Sequence, residues 1–213
     1  SEIDLPPEVD HYSPLVYEKA AENFAKLIDK GVFIQDDRDC FYVYQLIMNG
    51  HRQRGIMVGA SVDEYEKNII KKHELTRRDK EDDRTNHLKA LMANAGPALF
   101  TYRHKPEITN FVNNLCETRK PDYDFTAPDG IRHTVWVVGE PTEVKLIQDE
   151  FKKIDCMYVA DGHHRTASAF RMRNLMRDAN PNHTGNEPYN YFMTVVFPDD
   201  ELKIMGYHRA VKD

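Results

Sequence analysis

Two turn signals constrain this chain more than any other feature. Asn49-Gly50-His51-Arg52-Gln53 separates the apolar runs Cys40–Met48 and Gly55–Val62, and Ala127-Pro128-Asp129-Gly130 separates Tyr123–Thr126 from His133–Val138. Connections of that length, rich in residues that accept kinked or left-handed backbone, join neighbouring antiparallel strands. A chain with two hairpins cannot consist only of parallel strand–helix–strand units. Further strands are expected at Ala98–Tyr102, Cys156–Ala160, Tyr191–Phe197 and Leu202–Tyr207.

Helical periodicity fills the intervals. Ser13-Pro14 opens an apolar stripe through Val16, Ala20, Phe24, Leu27 and Ile28, and Gly31 stands where a terminator belongs. Asp79–Met92 places Leu88, Leu91 and Met92 on one face, Pro106–Leu115 does the same with Ile108, Phe111, Val112 and Leu115, and Pro141–Phe151 with Val144, Ile147 and Phe151. His164–Arg177 has the composition of a further helix. The fold class is therefore α+β: a mixed or antiparallel sheet with several hairpins and flanking helices.

Composition excludes several functional classes. Forty per cent hydrophobic residues in a 213-residue chain suffice for a packed core, and no apolar run approaches the ~20 residues of a membrane span. No signal-peptide pattern opens the sequence, so a cytoplasmic location is expected by default, with no membrane partner. The formal net charge of −6 disfavours direct nucleic-acid binding. Cys40, Cys116 and Cys156 are odd in number and never in CxxC pairs, which reads as reduced structural thiols. The chain starts at Ser1 and stops directly after a strand-like segment, as a fragment of a longer protein would.

The chemistry concentrates in Cys156–Arg177. A strand runs into Asp161-Gly162, and a helix opens with His163, His164, Arg165 and Thr166. The first amides of a helix lack internal partners and sit at the positive end of its dipole, so this junction can hold an anion. Gly162 lets a ligand approach the backbone, Arg165 offers forked donors to phosphate oxygens, and both imidazoles can donate. Asp161 is of the type that binds magnesium together with phosphate oxygens and waters. The bland reading keeps its place: Asp-Gly is an ordinary turn, Asp161 can cap a helix, and Arg165 can pair with a surface acid. Zinc is a rival ligand, opposed by the absence of HExxH or CxxC spacing.

A second cluster, Lys71-Lys72-His73-Glu74-Leu75-Thr76-Arg77-Arg78, is the most basic stretch of an acidic chain. Either it is a solvated turn, or Glu74 accepts a proton from a hydroxyl while Lys72, His73 and Arg77 draw in a phosphorylated ligand. Arg84 and His87, with Lys80, fall at helical spacing and either face the same ligand or form a solvated charged face.

The segments YVADGHHR, IIKKHELTR, EIDLPPEVDHYSPLVYEKAAENF and FYVYQLIMNG, taken in order, resemble a bacterial family, domain-of-unknown-function family 1015, over nearly the whole chain. That family is in turn similar, more remotely, to the ParB/sulfiredoxin superfamily, which includes free serine kinases. The resemblance implies a single ParB/sulfiredoxin-like domain over residues 1–213, with elaborations. It also implies that Asp161, Gly162, His163 and Arg165 correspond to a phosphate and magnesium motif, and Glu74 to a catalytic base. His164 departs from the kinase pattern, and the motif lacks the cysteine that sulfiredoxin chemistry requires.

The expected activity is a nucleotide-binding phosphotransferase, a small-molecule kinase acting on a hydroxylated metabolite. Its catalytic residues would be Glu74, Asp161 and His163. Phosphate contacts would come from Gly162, His164, Arg165, Thr166, Arg84, His87, Lys72, His73 and Arg77, with magnesium on Asp161. The expected nucleotide is ATP or ADP, with CTP a further candidate. The alternative is a nucleotide-dependent switch or binding module of the ParB type, with homo-oligomerisation and no small-molecule product.

Overall fold

The computed structural model describes residues 5–206 and 208–211. In chain order the elements are α1 (Pro14–Asp29), β1 (Phe41–Met48), β2 (His51–Ser61), α2 (Val62–Glu66), β3 (Ile70–Lys71), α3 (Arg78–Leu91) and β4 (Ala98–Tyr102). There follow α4 (Pro106–Thr118), β5 (Tyr123–Thr126), β6 (Arg132–Val138), α5 (Pro141–Phe151), β7 (Met157–Asp161), α6 (His163–Ala179), a 3-10 turn at Pro188–Asn190, and β8 (Tyr191–Pro198). One sheet contains all eight strands in the order β3-β7-β4-β8-β2-β1-β6-β5. It is mixed: β3 runs parallel to β7 and β4 to β8, and every other neighbour is antiparallel.

Both expected hairpins form, with a tighter first turn than the sequence suggests. Asn49 and Gly50 take φ of 51° and 77°, and Met48 pairs with His51, so these two residues make the whole connection. Positive φ at both central positions matches the twist of the flanking strands, which lets His51, Arg52 and Gln53 enter β2. Proline at the first position opens α1, α4 and α5, where its missing N–H costs nothing. Gly31, at φ 67°, follows α1 and donates its amide to the Ile28 carbonyl.

Two features of the sequence reading are corrected. Residues 202–206 form no strand, and Tyr207 lies outside the described residues. The reason is topological: β8 is already paired on both sides, to β2 and to β4, so it offers no free edge to a hairpin partner. Met92 does not extend the apolar face of α3, because it leaves the helix with φ 50° and is exposed.

The core is built from alternating strand residues and from single helix faces. Val43, Ile56, Phe100, Tyr102, Trp136, Val138, Val159 and Val196 are buried in the sheet, and Ile108, Val112, Leu115 and Ile147 come from α4 and α5. A second helical group, α1, α3 and α6, is joined by polar contacts: Tyr17 donates to Asp83 at 2.9 Å, and Arg171 reaches Asp82 at 2.5 Å. The three cysteines are free thiols. Among the described residues, no helix is long and apolar enough to cross a membrane.

Candidate functional site

The junction between β7 and α6 owes its shape to a register shift. Asp161 pairs with Leu99 and Val159 with Phe100, so Ala160 is an extra residue on β7. Such a bulge kinks a strand and re-aims the residues after it. Gly162 then takes φ 91°, and a Cβ there would lie 3.2 Å from both the Cα and the Cβ of Ala98. The backbone angle favours glycine, and the close approach of Ala98 adds to that preference.

Helix α6 begins against the usual electrostatic rule. Acidic residues favour a helix start, yet its first turn carries none and holds two histidines and an arginine instead. Its N-cap glycine offers no side chain, and no side chain caps the end. The Thr166 amide reaches the Gly162 carbonyl at 3.0 Å, which is the first bond of the helical ladder. The amides of residues 163–165 precede that bond, and the helix gives them no carbonyl.

Residues two positions apart on a helix lie about 200° apart around its axis, so His163 and Arg165 face opposite ways. On one flank, His163 is almost wholly buried against the loop that follows β3. Its Nε2 receives the His73 amide at 3.5 Å, and its Nδ1 lies 3.4 Å from Glu74 Oε2. The His73 ring meets the His163 ring edge-on at 4.4 Å between centroids. Burial, reinforced by the neighbouring His73, pushes the His163 pKa down despite Glu74 and Asp161. The neutral ring then carries its proton on Nδ1, towards Glu74. His164 holds the same loop further along, its Nε2 accepting the Arg77 amide at 3.2 Å.

On the other flank, Arg165 is oriented by the Pro97 carbonyl and by Asp161, 2.8 Å away. It lines a cleft of about 280 Å³ together with Arg84, His87, Leu88, Asn94 and Gly96. Arg84, which also lines the cleft, has no carboxylate within ion-pair distance among the described residues. Burial, then Arg84, lowers the pKa of His87.

The structure thus gathers Arg84, His87 and Arg165 in one cleft, and His73, Glu74 and His163 in a second group. The remaining candidates have partners elsewhere. Lys72 stacks its ammonium 3.8 Å from the Tyr65 ring centroid. Arg77 forms a forked pair with Asp79 at 2.7 and 3.1 Å. Thr166 is fully buried, with its hydroxyl on the Gly162 carbonyl at 3.0 Å. Asp161 is exposed beside Arg165 and is not part of the group His73, Glu74 and His163, whose ligand atoms lie within 4.8 Å of one another, the one such group among the described residues. That trio, with two imidazoles, is the donor set of a transition metal; a lone carboxylate such as Asp161 suits magnesium only when phosphate oxygens and waters complete its shell.

A family model described as "Protein of unknown function (DUF1015)" matches residues 1–213. The chain belongs to the DUF1015 family. No curated protein and no solved structure matches it.

For this DUF1015 member, sequence reasoning passed over Asn94 and Gly96, which line the cationic cleft. The signal was present in Asn94-Ala95-Gly96-Pro97, a run of small and turn-forming residues directly before β4. It also passed over Tyr189 and Tyr191, which only the 3-10 turn brings to the end of α3.

Proposed function

We propose that the protein is a phosphotransferase that binds a nucleotide by its phosphates at the start of α6 and phosphorylates the hydroxyl group of a small metabolite. The observation that carries this reading is the cationic helix start: uncapped amides, a glycine at φ 91°, and Arg165, Arg84 and His87 converging on one cleft. Like charges at the positive end of a dipole repel each other and the dipole. An anion placed among them adds an attraction to each cation and to the dipole that offsets those repulsions, and phosphate matches the forked donors of arginine.

In this scheme the inner phosphates accept from Arg84 and Arg165, and the terminal one reaches past the helix amides to the opposite flank, where Glu74 takes the proton of the acceptor hydroxyl. The hydroxyl oxygen forms its bond to the γ-phosphorus as the bond to the leaving nucleoside diphosphate breaks. His163 orients Glu74 by pointing Nδ1 at its carboxylate. A magnesium ion, when bound, screens the phosphate charge, and Asp161 is the carboxylate of the junction that can share it. Kinship to the ParB/sulfiredoxin superfamily belongs to the same proposal.

A metabolite screen with ATP, CTP and magnesium tests the reading. Appearance of a phosphorylated small molecule supports it, whereas nucleotide-driven oligomerisation with no such product supports a ParB-like switch. Glu74→Gln should keep nucleotide affinity and lose at least ~100-fold in turnover, the lower range for a general base. Unchanged turnover in that variant removes Glu74 from the mechanism.

A further inference from the structure

The cationic cleft does not end at its polar wall. Leu88 and Asn94 also line a second cavity of about 260 Å³, whose other walls include Met92, Met172, Tyr189 and Tyr191. Either cavity alone is smaller than the ~300 Å³ at which pockets for drug-sized ligands begin; as neighbours with Leu88 and Asn94 in both linings, they together fall within that range. One of the pair is cationic, and the other is apolar and aromatic.

We infer that the apolar cavity takes the base of the nucleotide whose phosphates occupy the cationic cleft. This rests on the phosphate-binding reading above and adds the half of the ligand that the reading leaves open. A nucleotide is a compact ligand with polyanionic and flat aromatic ends, and the adjacent cavities present the complementary halves side by side. Tyr189 is held in place before any ligand arrives. Its hydroxyl is 2.9 Å from His183 Nδ1 and 3.0 Å from Asn180 Nδ2, and its ring stacks on His183 at 5.7 Å between centroids. A fixed ring loses little freedom when a base packs on it. Tyr191 is 46% exposed at the start of β8, leaving ring surface open to a ligand. Asn94 stands where the two cavities meet, exposed, and its amide is both donor and acceptor, the pairing a base edge presents.

The test compares the four common ribonucleoside triphosphates with inorganic tripolyphosphate, each with magnesium, by calorimetry on the whole chain. At least one nucleotide should bind about tenfold or more tightly than tripolyphosphate, in line with base–aromatic stacking. Tyr191→Ala and Met92→Ala, both at exposed positions that line the apolar cavity and not the cationic cleft, should erase most of that difference and leave tripolyphosphate binding unchanged. Arg84→Ala should weaken both ligands. If tripolyphosphate binds as tightly as every nucleotide, or if the two cavity variants weaken both ligands equally, the base site is overturned while phosphate binding stands. If no ligand binds, the phosphate reading falls and takes the base site with it.

Discussion

At the scale of single residues, the motif Asp161–Arg165 was readable because its chemistry is local. A strand end, a glycine and a helix start follow one another, and the uncapped amides belong to the motif itself. What the sequence left open was which side chains join them. Arg84 and His87 reach the cleft through the packing of α3 on α6, and Lys72 and Arg77 are drawn away by Tyr65 and Asp79, partners no spacing rule selects. The two histidines also set a pH dependence. Both His163 and His87 have pKa values lowered by burial, with His73, Glu74, Asp161 and His164 facing the first and Arg84 and Asp83 the second. In the window just below the unfolded value of ~6.5 the unfolded chain binds more protons, so stability rises with pH there. This contribution is complete above that value and is lost as pH falls through the two folded values. A His163→Gln, His87→Gln double variant should flatten the dependence of the urea midpoint on pH between about 5.5 and 6.5. An unaltered slope would place the proton uptake on other groups.

Elements were legible where one rule acted alone. Helices α1, α4 and α5 announce themselves by proline and an apolar stripe, and β5 and β6 by the turn between them. The five-residue α2 was not, because the apolar run of β2 continues into Val62 and only the Ser61 hydroxyl, 3.4 Å from the Glu64 amide, marks the change. The strand β3 is only two residues long and exists because β7 lies beside it. These short pieces matter, since they lead into the loop that carries His73 and Glu74. The first, α2, is tied to α6 by Arg173, whose side chain is only 4% exposed and which reaches Asp63 at 2.6 Å and also Glu66. Removing both acids strands a buried guanidinium, whereas removing the arginine removes the buried charge itself. The Asp63→Ala, Glu66→Ala double variant should therefore lose roughly 3 kcal/mol, and Arg173→Met less than half of that. Urea denaturation of the two proteins decides it; equal losses would show that Arg173 contributes by packing and not by charge.

For the whole molecule, the sequence predicts a mixed or antiparallel sheet but not its strand order, since pairing between strands distant in the chain leaves no local mark. The order has a functional consequence. The elements flanking the candidate site, β3, β7 and β4, occupy one end of the sheet, and the two hairpins β1–β2 and β5–β6 occupy the rest, joined to them through β8. At that joint β8 pairs with β2 and β4, and Gly55 of β2 is so close to β8 that a Cβ would lie 2.8 Å from both the Phe197 ring and the Val196 carbonyl oxygen. Contact without space for a methyl group transmits displacement, so both ends of the sheet should unfold as one unit. A ligand confined to one end then stabilises the entire chain. Nucleotide with magnesium at 100 times its dissociation constant should raise the unfolding free energy by ~2.7 kcal/mol, in a single transition that moves intact with ligand concentration. Scanning calorimetry distinguishes the outcomes. A transition that splits, with only one component responding to nucleotide, would mean that the β2–β8 joint does not couple the hairpin end to the site.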